Sequence, residues 1–113
     1  LLKIENADGM TLRMWRFFQS QPMSASIDME LGAQYFNITA RTLQRRLQQE
    51  NSSFQDELKI FKALQAKQLL DNSSRTISET AYQLGFNDNS AFHKAFKRWT
   101  GMTPKEYQCL AKV

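Results

Sequence analysis

Apolar residues fall at helical spacing through most of the chain, and short polar segments separate the runs. Thr11 to Gln19 predicts a first helix with Leu12, Trp15 and Phe18 on one side, closed by the stretch Ser20 to Ser26 that holds Pro22. Asp28 caps a second helix running to about Phe36, where Asn37 breaks it, and Thr39 caps a third over Ala40 to about Gln49. Asn51, Ser52 and Ser53 end that helix and cap a long fourth, Phe54 to Leu70. There Phe54, Leu58 and Phe61 share a face, and Ile60 and Leu64 lie a quarter-turn or more around it. So broad a stripe implies packing against two bodies.

Thr76-Ile77-Ser78-Glu79 has the spacing of a capping box and opens a fifth helix that Gly85 terminates. A sixth runs from about Asp88 to Trp99 and stops at Gly101. Thr103-Pro104 then seeds a seventh, because proline suits the first helical position. The fold class is all-α, with seven helices.

The pattern also repeats. Ala33, Phe36, Asn37 and Ile38 pair with Ala81, Leu84, Gly85 and Phe86 at a displacement of 48. Past the turn the displacement becomes 49, pairing Leu43 with Phe92 and Leu47 with Phe96, and then 50, pairing Asn51 with Gly101. Two helix-turn-helix subdomains joined by a long linker helix explain this, the second turn being slightly longer. The expected divisions are 1–27 for the tail and first helix, 28–53 for the first helix-turn-helix, 54–70 for the linker helix and 71–113 for the second helix-turn-helix with the C-terminal helix.

Composition narrows the function. A chain of 113 residues with 42% apolar residues and 12% aromatics forms one compact domain or two very small ones, and is neither disordered nor a large enzyme. Lone Cys109 and lone His93 make neither an internal disulfide nor a zinc site of ordinary ligand count, so neither metal nor cofactor is expected. No apolar run reaches membrane-spanning length and no secretory signal opens the chain, so a cytoplasmic protein without membrane association is expected. The first residue is not Met, which reads as a fragment of something longer. No spacing of Ser, His and Asp suggests an activated nucleophile, so no enzyme is expected.

The net charge of +4 says little as a total. Its distribution says more: the chain up to Ala40 leans acidic, while Arg41, Arg45 and Arg46 crowd one segment and Lys94, Lys97, Arg98 and Lys105 another. Arg41, Gln44, Arg45 and Gln48 follow the spacing i, i+3, i+4, i+7 on helix three, opposite Leu43 and Leu47. At a displacement of 49 they become Ser90, His93, Lys94 and Lys97 on helix six, opposite Phe92, Phe96 and Trp99, which read as core. A charged helix face is ordinarily just solvated. Two acid-free faces recurring at a fixed displacement favour a major groove, where arginine bridges the acceptors of guanine and glutamine matches adenine. A linker helix of about 17 residues spans ~26 Å, and with the offsets of the recognition helices it brings one DNA turn of roughly 34 Å within reach of a monomer. A helical protein-interaction domain, binding an acidic partner or the transcription machinery, is the competing reading.

These residues resemble the DNA-binding domain of the AraC family of bacterial transcription regulators, a homeodomain-like double helix-turn-helix. The resemblance rests on Ile77 through Phe86, Ser90-Ala91-Phe92, Ala95 through Pro104 and Tyr107 in the second half. In the first half it rests on Thr39 through Leu47 with Ser53-Phe54. It implies sequence-specific binding of double-stranded DNA by a regulator, commonly an activator, with helices three and six in adjacent major grooves. Carried over by position, the base-contact candidates are Arg41, Gln44, Arg45, Asn89, Ser90, His93 and Lys94. The phosphate-contact candidates are Thr39, Gln48, Lys97 and Arg98. It further implies RNA polymerase as a partner and a separate N-terminal effector or dimerisation domain, leaving this fragment monomeric. Leu1 to Gly9 reads as a remnant of that connection. Two departures stand out: Lys62 where relatives place arginine in the linker helix, and Asn37 where they place glycine at the first turn.

Overall fold

The computed structural model describes residues 9–72 and 74–111. The first eight residues, expected to be a connecting remnant, lie outside the described residues. Those described form seven helices and no strand: α1 (Met10–Ser20), α2 (Met29–Phe36), α3 (Ala40–Gln49), α4 (Phe54–Leu70), α5 (Ile77–Gln83), α6 (Asn89–Thr100) and α7 (Pro104–Ala111). Short-range chemistry sets their ends. Asp28 accepts from Leu31 N–H and Thr39 Oγ1 from Thr42 N–H. Thr76 and Glu79 form the full reciprocal capping box. Thr103 and Glu106 bond the same way at the start of α7, around the buried Pro104.

The chain divides into two compact units, Leu1–Pro22 with Ser26–Leu58, and Met23–Ala25 with Lys59–Val113. In the first unit, α1, α2, α3 and the start of α4 enclose Met14, Phe17, Phe18, Leu43, Leu47 and Phe54, each at most 1% exposed. Phe18 meets Phe54 edge-on at 5.5 Å, a favoured arrangement of ring quadrupoles. Gly32 lies against this cluster, and a Cβ there would sit 3.3 Å from the Phe54 ring.

The buried face of α1 differs from expectation. Met10, Met14, Phe17 and Phe18 are buried, whereas Leu12 is 38% exposed and Trp15 half-buried. At about 100° per residue Leu12 points roughly 200° away from Met10, so the two stripes compete and the one with more apolar volume wins. Trp15 sits at the edge, where its indole N–H donates to Glu57 Oε1 at 2.7 Å. Glu50 closes the other end of α1: its carboxylate accepts from Met10 N–H at 2.7 Å and Thr11 N–H at 2.9 Å, doing what the Gly9 cap position cannot.

The second unit's core holds Ala66, Leu69, Leu70, Ala81, Leu84, Phe92 and Phe96. Half-buried Trp99 packs against it rather than within it. Ile60 and Leu64, expected to complete a broad apolar stripe, are 48% and 44% exposed. Ala63, Ala66, Leu69 and Leu70 do that packing instead, the alanines allowing close approach. Half-buried Lys62 donates to the Met23 carbonyl at 3.2 Å, and desolvation lowers its pKa below the ordinary lysine value.

Candidate nucleic-acid interface

Both turns of the repeat carry the same bonds. After α2, Asn37 N–H donates to Gln34 O and Ile38 N–H to Ala33 O; after α5, Gly85 N–H donates to Tyr82 O and Phe86 N–H to Ala81 O. Asn37 and Gly85 both have positive φ, 59° and 93°. The left-handed residue reverses the chain and aims the next helix away from the one before it, while the half-buried apolar residues that follow, Ile38 and Phe86, hold the angle.

That geometry settles what α3 and α6 present. On α3, Leu43 and Leu47 are fully buried, so Arg41, Gln44, Arg45 and Gln48 project outward and all four are exposed. None of them is bonded to another side chain among the described residues. Arg46 is exposed as well, displaced along the flank. The α3 cap residue Thr39 uses its hydroxyl twice, accepting from Thr42 N–H and donating to Thr42 Oγ1 at 2.9 Å. Its own O–H is therefore engaged.

On α6 the anchors are Phe92, Ala95 and Phe96. Ser90, Lys94, Lys97 and Arg98 are exposed on the outward side and His93 is half-buried beside them. Asn89 opens the helix beside its cap Asp88, and its side-chain amide donates to Ser78 Oγ at 2.8 Å, which ties the start of α6 to α5. Lys97 has an acid in its neighbourhood. Glu106 is held below the ordinary carboxyl pKa by the Thr103 N–H, against desolvation, with help from the Thr103 hydroxyl and the Lys97 charge. Each unit thus carries its sequence-predicted residues on or beside the outward side of one helix that is polar, cationic and free of carboxylates. Ser78 escaped the sequence reading. Its place as the second residue of α5 was visible, but its bond to Asn89 depends on the turn between them.

Among the described residues no group of three or more His, Cys, Asp or Glu side chains is placed to hold a metal. Nor is any helix there long and apolar enough to cross a membrane. Exposed polar and cationic helix faces on a duplicated helix-turn-helix define a class of protein that known sequences specify further. A helix-turn-helix domain family model matches residues 33–109. The chain is 31% identical over 108 residues to the ornithine utilization regulator of Pseudomonas aeruginosa, covering 96% of this chain and 32% of that protein. The transcriptional regulator CdpR of P. aeruginosa superposes with a TM-score of 0.76 at 31% identity, over 89% of this chain and 32% of that one. The DNA-binding domain of the global transcriptional factor AdpA, solved with a target DNA, superposes with a TM-score of 0.66 at 27% identity, over 80% and 82%. The chain belongs to the AraC-type helix-turn-helix family of transcription regulators. It spans about a third of the length of the curated relatives that match most of it.

Proposed function

We propose that this chain binds double-stranded DNA sequence-specifically, with α3 and α6 entering successive major-groove segments on one face of the duplex. The observation that carries the reading is the pair of outward faces, Arg41/Gln44/Arg45/Gln48 and Ser90/His93/Lys94/Lys97, at equivalent places of a duplicated fold. In this reading Arg41, Gln44 and Arg45 read bases from the first unit, and Asn89, Ser90, His93 and Lys94 from the second. Lys97, Arg98, Gln48 and Thr39 grip phosphates, Thr39 after releasing its hydroxyl from Thr42. Residues 28–53, 54–70 and 71–113 then act as reader, spacer and reader.

The target-bound AdpA domain, a relative of similar fold, supports this reading. The share of the relatives' length that the chain spans supports a whole protein with a further effector or dimerisation domain. That protein would act in the cytoplasm as an activator that contacts RNA polymerase, as the family resemblance implies, and the isolated 113-residue chain would be monomeric. Binding of the purified chain to a duplex selected from a random pool, against a scrambled duplex at physiological salt, tests the core of the reading. A preference of at least a thousandfold, the low end for specific readers, is expected. Equal affinity for the two would favour an acidic protein partner for these faces instead.

A further inference from the structure

Arg75 sits outside both predicted faces, in the turn before α5, on an open cavity of about 700 Å³ that Ser78, Tyr82, Gln83 and Asn72 also line. Its bonding is incomplete. One guanidinium nitrogen donates to the neutral Gln83 Oε1, no carboxylate pairs with it among the described residues, and its Nε is shielded from solvent without an acceptor. Two hydroxyl-bearing residues, Ser78 and Tyr82, line the same space. Ser78 Oγ accepts from Asn89, which leaves its own O–H to donate outward, and the Tyr82 side chain is 83% exposed. The Ser74 hydroxyl, by contrast, is already given to Asn72. Among the described residues Glu79 is the one acid in the lining, and one of its oxygens is committed to the Thr76 N–H of the capping box.

A cation whose terminal nitrogens carry more N–H groups than the one given to Gln83, two hydroxyls and room for a tetrahedral anion make a phosphate seat. Its position identifies the phosphate. Ser78 touches both the cavity and the first residue of α6, so an anion held there lies beside the groove that α6 would enter. We propose that Arg75, with Ser78 and Tyr82, seats a backbone phosphate of the strand flanking the α6 site. This rests on the DNA-binding reading and adds to it a contact that fixes how deep and at what angle α6 lies, since phosphate contacts set register.

The test uses the 113-residue chain and its selected duplex, with phosphates replaced one at a time by neutral methylphosphonate. Wild type should lose affinity about tenfold, on the scale of one charged hydrogen bond, at one phosphate flanking the α6 half-site. Arg75→Gln should bind the unmodified duplex about that much more weakly, be indifferent to that same replacement, and show a salt dependence shallower by about one unit. Arg75→Lys should keep the salt dependence, and Tyr82→Phe should weaken binding by a smaller factor. A thermal melt of each variant like that of wild type confirms that folding is intact. If Arg75→Gln retains wild-type affinity, salt slope and sensitivity at every phosphate, the seat is wrong and the DNA reading stands. If wild type binds no duplex selectively, both fall. Saturable binding of inorganic phosphate alone, lost in Arg75→Gln, together with wild-type DNA binding by that variant, would assign the cavity to a free anion and overturn the proposal.

Discussion

Asn37 and Gly85 occupy the same position in the two turns, 48 residues apart, and both hold a left-handed backbone, but only Gly85 is hemmed in. A Cβ at Gly85 would lie 2.9 Å from the Ser24 carbonyl oxygen, closer than such contacts occur. The two positions therefore share a backbone requirement and differ in space. Gly85→Ala should cost about 2 kcal/mol or more, from the left-handed penalty and the displacement of Ser24. Asn37→Ala should cost about 1 kcal/mol and Asn37→Gly less than about 1 kcal/mol in either direction. Urea unfolding at pH 7 ranks the three, and equal losses for the two alanine variants would show that the Ser24 contact does not matter.

Glu50 links the end of α3 to the start of α1 and carries a pH signature. Burial raises its pKa, but the hydrogen bonds from Thr11 and Met10 outweigh it and leave the value below 4.5. A carboxyl whose folded pKa is depressed contributes stability that is complete above the unfolded value and lost as the pH falls through the folded one. Glu50→Gln should therefore be less stable than wild type at pH 7, and the gap should close below about pH 4.5. Denaturant midpoints at pH 7, 5 and 3.5 check it; a gap that stays constant would mean the loss has nothing to do with ionisation.

The short-range features were legible before the structure. The Thr76 box, the Thr103-Pro104 start, the αL residues at the turns and the outward faces of α3 and α6 all depend on residues within about two helical turns of one another. What escaped depends on distance or on competition. The helical period shows that Leu12, Trp15 and Phe18 are neighbours, but not that the Met10 stripe would outcompete them. Alanines 63 and 66 carry little hydrophobic signal, so the pattern points to Ile60 and Leu64, which stay exposed. Glu50 caps a helix 40 residues before it in sequence, and Arg75 gains meaning only from the open cavity that residues of α5 and of the segment before it line.

Base readers and phosphate grips should separate by the kind of loss they cause. Arg45→Ala should lose about 1 to 3 kcal/mol with preference at one base pair. Arg98→Ala should weaken all sequences alike and make the salt dependence shallower by about 0.9. Competition titrations with single-base variants of the selected duplex distinguish the two; uniform loss from Arg45→Ala would remove it from the base-reading set.

The central claim, that α3 and α6 read DNA together, is tested most directly by hydroxyl-radical footprinting of the 113-residue chain on its selected duplex. Two protected patches on one face, about 10 base pairs apart, are predicted, the patches disappearing separately when the α3 or the α6 face is replaced by alanine. A single short patch, or two that vanish together whichever face is altered, would contradict it.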